Sequence, residues 1–503
     1  MLFFYAPCRG FSEQCWVSTL FFSGLMSGNV LYYGDNLDVL RRHVKSESVD
    51  LVYLDPPFKS NQNYNVLFAE QDGSRSTAQI RAFQDTWRWD QAAAASYQEV
   101  VEGGGRVSEA MQAFRKFLGE NDMLAYLAMM APRLVELRRV LKATGSIYLH
   151  CDPMASHYLK MIMDAVFGPN RFQNELIWHY QTGGASKVRF SRKHDTIFWY
   201  TKSNEWEFHG ERIAILRTEK SMKRAQNPKG ARISKTDTTK NPNDVLMIQQ
   251  MNPMARERLG YPTQKPEALL ELIIKASSNQ GNIILDPFCG CGTTIVAAQK
   301  LGRRWVGIDV THLAISLIKH RLRDSFGDDA KYKVIGEPVT LAGAQALAEE
   351  DPYQFQWWAL GLVNARPTEQ KKGADKGIDG RLYFHDEPAG KKTKQIIFSV
   401  KAGKTGASHV RDLRGVIERE KAAIGVLISM QDPTGPMRKE AASADFYASP
   451  WGTNHARIQL LTVGELLEGK RVDYPPTQHE TTFREAPKAK RGAEKPEQKK
   501  LFE

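Results

Sequence analysis

Two short segments of this chain carry residue types that can do chemistry together. The first is Leu285-Asp286-Pro287-Phe288-Cys289-Gly290-Cys291-Gly292-Thr293-Thr294, between an apolar run and a helical pattern. Small residues at the carboxyl end of a strand let a ligand approach the backbone, and the amino terminus of the next helix adds partial positive charge. Asp309 follows 17 residues after Gly292 and ends the next apolar run, where a carboxylate can accept hydrogen bonds from ribose hydroxyls. This set describes a site for an adenosine-containing cofactor. A dinucleotide fingerprint would require a third glycine at Ile295, so the pattern argues against a dehydrogenase. Cys289 and Cys291 form a lone C-x-C without companion ligands and read as small loop residues rather than a metal site. The second segment is Asp55-Pro56-Pro57-Phe58, also closing an apolar run. The exocyclic amine of a nucleobase is a poor nucleophile because its lone pair is delocalised into the ring. A carboxylate accepting one N–H, with a prolyl carbonyl aimed at the other, favours the pyramidal nitrogen that can attack. An aromatic neighbour can stack on a base that has left its duplex.

The elements that must position these loops are legible from periodicity. Asn29–Tyr33, Val49–Leu54, Ser146–Cys151, Asn282–Leu285 and Arg304–Ile308 read as short buried strands. Asn174–Tyr180 and Thr196–Thr201 read as two more, the last of the sheet. Helical patterns cover Asp122–Leu141, Pro266–Ser278, opened by its proline, and Thr293–Leu301, stopped by Gly302. Buried strands alternating with helices predict an α/β fold, a doubly wound parallel sheet of Rossmann-like type.

Taken together, these segments resemble the DNA amino-methyltransferases that use S-adenosyl-L-methionine. Leu285–Thr294 is similar to the family's F-x-G-x-G cofactor loop, and Asp55–Phe58 to its D-P-P-Y/F catalytic loop. Tyr261–Pro266 is similar to its T-x-K-P segment, and Gly34-Asp35 to the acidic position that faces the cofactor's adenine. The catalytic loop precedes the cofactor loop, the order of the β class, which places a target-recognition region between them, here about residues 181–260. The resemblance spans about residues 28–325 and implies roles. Asp55 accepts from the target amine, Pro56 and Pro57 aim a carbonyl, and Phe58 stacks on the flipped base. Asp286, Phe288, Gly290, Gly292 and Thr293 bind the cofactor around its methionine part, Asp309 its ribose, Asp35 its adenine, and Lys265 with Thr263 its outer edge. The D-P-P form implies adenine N6 as acceptor, with cytosine N4 as the alternative, and no metal takes part in the transfer.

A third constellation lies further along. Gly373-Ala-Asp-Lys-Gly-Ile-Asp379-Gly precedes strand patterns at Arg381–Phe384 and Gln395–Val400, the latter followed by Lys401, and a helix at about His409–Ala423. An acidic residue opening one strand and a lysine on the next can converge beside a divalent cation that polarises a scissile phosphate. The arrangement resembles the PD-(D/E)xK restriction-endonuclease-like fold in its Mrr-like branch, over roughly residues 340–470. That implies Mg²⁺ at Asp379 and DNA cleavage lost in Asp379→Ala. Ser399, two before Lys401, stands where that family has a carboxylate or glutamine, which weakens the metal site and leaves a DNA-gripping module as the other reading.

Composition bounds the partners. The 503 residues suggest roughly three globular units. Lys and Arg number 69 against 57 Asp and Glu, which favours a polyanionic partner. The surplus concentrates between Gln181 and Lys240, with 14 basic against six acidic residues and interleaved aromatics, a composition suited to phosphates and base faces. Arg189, Arg192 and Lys193 are the residues expected to hold phosphates of double-stranded DNA. No apolar run approaches the ~18 residues of a spanning helix, so no membrane partner is expected. Five cysteines suit a reducing cytoplasm. Residues 1–27 read as a non-native or disordered extension with Met26 as the natural start, and the chain from Asp473 to 503 as a disordered charged tail. A restriction-modification enzyme follows as the expected whole, with a homodimer as a compatible assembly.

Overall fold

The computed structural model describes residues 28–57, 89–181, 186–218, 222, 238–251, 257–259, 264–368, 377–386, 393–476 and 487–488. The expected extension 1–27, Phe58, Thr263 and most of the expected tail lie outside these residues.

The first part of the chain builds one nine-stranded sheet. Its strands are β1 (Asn29–Tyr33), β2 (Val49–Leu54), β3 (Leu141–Cys151), β4 (Phe172–His179), β5 (His194–Thr201), then β8 (Val245–Leu246), β9 (Ile283–Asp286), β10 (Arg304–Asp309) and β11 (Tyr332–Ile335). A separate two-stranded ribbon pairs β6 (Ile215–Leu216) with β7 (Thr239–Lys240). The order across the large sheet is β11-β1-β10-β9-β2-β3-β5-β4-β8. It is parallel from β11 to β3, whereas β5 runs antiparallel to both β3 and β4. The expectation of a wholly parallel sheet ending with β4 and β5 is thus corrected. Among its described residues the connection between β4 and β5 holds no crossover helix, and the two strands pair as an antiparallel hairpin. The two-residue β8 and the solvent-edge β11 carry too little apolar pattern to be read from sequence, and β11 lies past residue 325, where the expected resemblance ends.

Both faces are covered, as alternation along β2 requires. Val52 and Leu54 point to one face, onto Leu127, Leu134 and Leu137 of α4 (Asp122–Val140) and Leu159 and Ile162 of α5 (Ser156–Phe167). Leu51 and Tyr53 point to the other, onto α6 (Glu267–Ala276), α7 (Thr293–Lys300) and α8 (His312–Phe326). The expected helix face Leu269, Leu270, Ile273 and Ile274 of α6 is buried there. Each such side chain contributes roughly 1.5–3 kcal/mol. Three further helices, α1 (Asn36–His43), α2 (Gln91–Glu102) and α3 (Gly105–Leu118), complete the first layer.

A second, five-stranded sheet follows in the order β12 (Arg366–Pro367), β13 (Gly380–Phe384), β14 (Lys394–Lys401), β15 (Ile424–Ser429), β18 (Ile458–Thr462). It is flanked by α9 (Leu341–Glu350), α10 (Pro352–Leu362), α11 (Ala407–Arg419), α12 (Gly435–Ala442) and α13 (Val463–Leu467), with a small ribbon of β16 (Phe446–Ala448) and β17 (Asn454–Ala456). The described residues therefore form two sheet-centred units rather than three, because the large sheet keeps some 300 residues around one framework. Asp473 and Tyr474, expected in the tail, are held on the second unit. Asp473 pairs with His455 at 2.8 Å, and Tyr474 packs on Phe384.

Candidate active site

The register of the large sheet brings the two loops together. Leu51 lies opposite Ile284 and Val52 opposite Leu285, so β2 and β9 are neighbours and their carboxyl ends emerge side by side. From this pair the chain moves outward in opposite directions, β2 to β3 and β9 to β10, which opens a crevice at a topological switch point. Tyr33 opposite Asp309 brings the Gly34-Asp35 turn to the same edge.

The cofactor-type loop is held by its own backbone. Gly290 N–H donates to Asp309 Oδ2 at 2.9 Å, and Cys289 N–H donates to Ile308 O at 3.1 Å. Gly292, in the left-handed region at φ 75°, turns the chain into α7 without a side-chain cap. A Cβ there would stand 2.8 Å from Ile318. Arg321 of α8 lies beneath, fully enclosed, donating to Cys291 O and Thr293 Oγ1 and pairing with Glu267 at 2.9 Å. Cys289 and Cys291 are buried, and burial pushes both thiols up.

Three carboxylates converge here. Asp286 is only 3% exposed. Burial, helped by the charges of Asp55 and Asp309, lifts its carboxyl to about 7 against the pull of Thr294 and Phe288 N–H. Within the loop its Oδ1 accepts from Phe288 N–H at 3.1 Å. Asp309 is raised to about 6, first by burial, although Thr311 and Gly290 hydrogen bonds hold it down. Asp55, at the end of β2, lies 2.8 Å from Lys265 Nζ. Pro56 is buried and Pro57 half-buried beside it.

Several partners had no sequence signal. Asp35 caps α1, accepting from Leu37 N–H at 2.8 Å, and pairs with Arg133 of α4 at 2.5 Å. Arg133 also holds Asn36, whose Nδ2 donates to Pro287 O at 2.7 Å, so α4 clamps the cofactor-type loop. Lys265, expected along a cofactor's outer edge, pairs with Asp55 in this structure. Behind Asp55 a buried chain runs from Tyr53 to His150 at 2.8 Å and from His150 to Asp195 at 3.2 Å, with Tyr180 donating to Asp195 at 3.3 Å. Burial pushes the Asp195 carboxyl up, but His150, Lys265 and Tyr180 outweigh it and hold it below its ordinary value. His150 and Asp195 are close only through β3–β5 pairing.

The same pairing, Cys151 opposite Thr196, sets the β4–β5 connection at this edge. Arg189 and Arg192 are exposed on it, whereas the Lys193 ammonium donates to Gln181 O at 3.2 Å. A cleft of about 330 Å³ lined by Trp199, Phe208 and Leu272 has none of the three converging carboxylates in its wall.

Residues 49–320, just over half of the chain, match the N6/N4 family model described as DNA methylase. The chain belongs to the N6/N4 DNA methylase family. Among its relatives is "Type II methyltransferase M.HpaI" of Haemophilus parainfluenzae, 35% identical over 203 residues, which are 40% of this chain and 60% of that protein. "DNA adenine methyltransferase YhdJ" of Escherichia coli (strain K12) is 24% identical over 294 residues, 58% of this chain and 82% of that one. Among solved structures, "PvuII DNA methyltransferase (cytosine-N4-specific)" covers 62% of this chain and 96% of its own at 14% identity and a TM-score of 0.39. The chain thus spans less than two thirds of the first of these relatives.

Residues 353–468 match a model described as NACHT-associated inactive Restriction Endonuclease 1. Asp379 and Lys401 do converge, with Nζ 3.5 Å from Oδ2. That same oxygen accepts from Val400 N–H at 2.6 Å and from Ser399 Oγ at 3.3 Å. The carboxylate of Glu420, at the C-cap of α11, is engaged by Arg381 and Arg419. Among the described residues no three His, Cys, Asp or Glu side chains gather as metal ligands. One carboxylate facing a lysine is a poor donor set for Mg²⁺, which takes carboxylates and waters octahedrally.

Proposed function

We propose that this chain methylates the N6 amine of adenine in double-stranded DNA, using S-adenosyl-L-methionine. The observation that carries the reading is the adjacency of β2 and β9, with Asp55 and the Asp286–Gly292 turn at one crevice. Asp309, ionised above about pH 6, gives that crevice a negative charge suited to a cofactor bearing a sulfonium and an ammonium, and the uncapped amino terminus of α7 suits its carboxylate. The cofactor supplies an electrophilic methyl group. Gly290, Gly292, Phe288 and Thr293 would line its methionine part, Asp309 its ribose and the Gly34-Asp35 turn its adenine. Asp55 accepts one N–H of the target amine and the Pro56 carbonyl the other, localising the nitrogen lone pair, while Phe58 stacks on the extruded base. Lys265 holds the Asp55 carboxylate in place until the amine arrives. Positioning and fixed charge supply most of the rate.

Adenine is favoured over cytosine by the Asp-Pro-Pro sequence itself. One experiment tests both: express the chain in a methylation-free host, digest the DNA to nucleosides, and locate the modified sites by sequencing. N6-methyladenine, absent with Asp55→Ala, is expected. N4-methylcytosine alone overturns the acceptor, and no modified base overturns the activity. Asp55→Ala should retain cofactor binding by calorimetry, because its carboxylate acts on the base.

The second unit, over about residues 340–470, grips DNA without cutting it, in keeping with the short donor set at Asp379. Mg²⁺-dependent cleavage of unmethylated DNA that disappears in Asp379→Ala would overturn this. Among the described residues no helix is long and apolar enough to cross a membrane. A cytoplasmic setting, where DNA and cofactor both occur, follows from the proposed reaction.

A further inference from the structure

The connection between β4 and β5 ends in a built turn. Ser186 Oγ accepts from Val188 N–H at 3.3 Å and Arg189 N–H at 3.2 Å, while Ser186 N–H donates to Ser191 Oγ at 3.1 Å. Its base is tied to the active-site floor. Tyr180 N–H donates to Lys193 O at 2.9 Å, and the Tyr180 hydroxyl reaches Asp195, the carboxylate whose field lies on Lys265 beside Asp55. At the tip, Val188 is 92% and Phe190 99% exposed, more than any other large apolar side chain described. Leaving a phenylalanine wholly in water forgoes a burial worth roughly 1.5–3 kcal/mol, and this turn does so beside Arg189 and Arg192.

An apolar tip flanked by cations, rooted at the edge where a target base must arrive, matches one kind of partner. Cations neutralise phosphates, and apolar side chains enter the base stack as wedges. We propose that Phe190, with Val188 on the same turn, inserts into the duplex at the target base and fills the space that base vacates. The inference rests on the methyltransferase reading above. The wedge acts on the opening step only: it holds the unpaired state and makes no bond to the reacting nitrogen or the methyl group. A protein or a lipid surface as occupant would leave methyl transfer indifferent to this residue.

The test uses the full chain and two synthetic duplexes carrying the methylated site mapped in the host experiment. In one the target adenine faces thymine, and in the other an abasic site, so that the base is already free. Phe190→Ala should lower kcat/KM on the paired duplex by roughly 10- to 100-fold, the scale of an opening cost of a few kcal/mol partly relieved by a wedge. On the abasic duplex the loss should fall below about threefold, and Phe190→Trp should restore the paired duplex. The fluorescence of 2-aminopurine at the target position should rise on binding of the wild-type chain and stay low with Phe190→Ala. Equal losses on both duplexes, or no loss on the paired one, would overturn the wedge. A wild-type chain that methylates neither duplex would overturn the methyltransferase reading instead, so the two failures are distinguishable.

Discussion

Replacing Asp286 by asparagine removes a proton that the fold binds tightly. In the wild-type chain burial raises this carboxyl from 3.8 to about 7. The folded state therefore holds the proton more strongly than the unfolded chain. Its stabilising contribution is complete below about pH 4, drains away as pH rises through about 7, and is flat above that. A shift of about three units at 1.36 kcal/mol each amounts to ~4 kcal/mol between those limits. Asparagine keeps the acceptor for Phe288 N–H and does not titrate. The melting temperature of Asp286→Asn minus that of wild type should thus climb from pH 4 to pH 7 and then level off. At about 2 °C per kcal/mol the climb is on the order of 8 °C. Taking the difference removes most of the Asp309 contribution, which both proteins share. Cofactor binding provides a second readout, because a bound cation favours the ionised carboxyl. Calorimetry near pH 7 in buffers of different ionisation enthalpy should show proton release by wild type and less by the variant. A melting difference constant from pH 4 to pH 8 would refute the buried-proton account.

Two further substitutions probe the geometry. Lys265→Met leaves Asp55 and Asp195 without the cation that both feel, and truncating one partner of a largely buried pair costs about 3–5 kcal/mol. The double variant with Asp55→Asn should melt higher than the two single losses add up to, and strict additivity would show that the pair is not coupled. Gly292→Ala places a Cβ 2.8 Å from Ile318 at a positive φ. Strain of about 1–3 kcal/mol and weakened cofactor binding are expected, relieved in part by Ile318→Ala, and an alanine variant as stable and as tightly binding as wild type would contradict this.

The amino-acid sequence by itself determined the local elements and the chemistry at their ends. Val49–Leu54 forms its strand as read, the helix from Asp122 ends one residue before its expected limit, and Gly302 follows the helix from Thr293. Apolar period and punctuation act over a few neighbouring residues, so they leave a mark that a single chain displays. In the second unit, Asp379 and Lys401 were placed together from adjacent strands for the same reason. The partners of these groups were a different matter. Arg133 on Asp35, Arg321 under Cys291, Lys265 on Asp55 and Asp195 on His150 show no spacing that announces them. The sheet's outer strands β8 and β11, and the reversal at β5, were equally silent. Only the tertiary structure decided that β2 and β9, more than two hundred residues apart, lie side by side. Strand order is fixed by which helices can cover both faces at once and by ladders of identical backbone groups, and neither depends on which side chain stands at any one position.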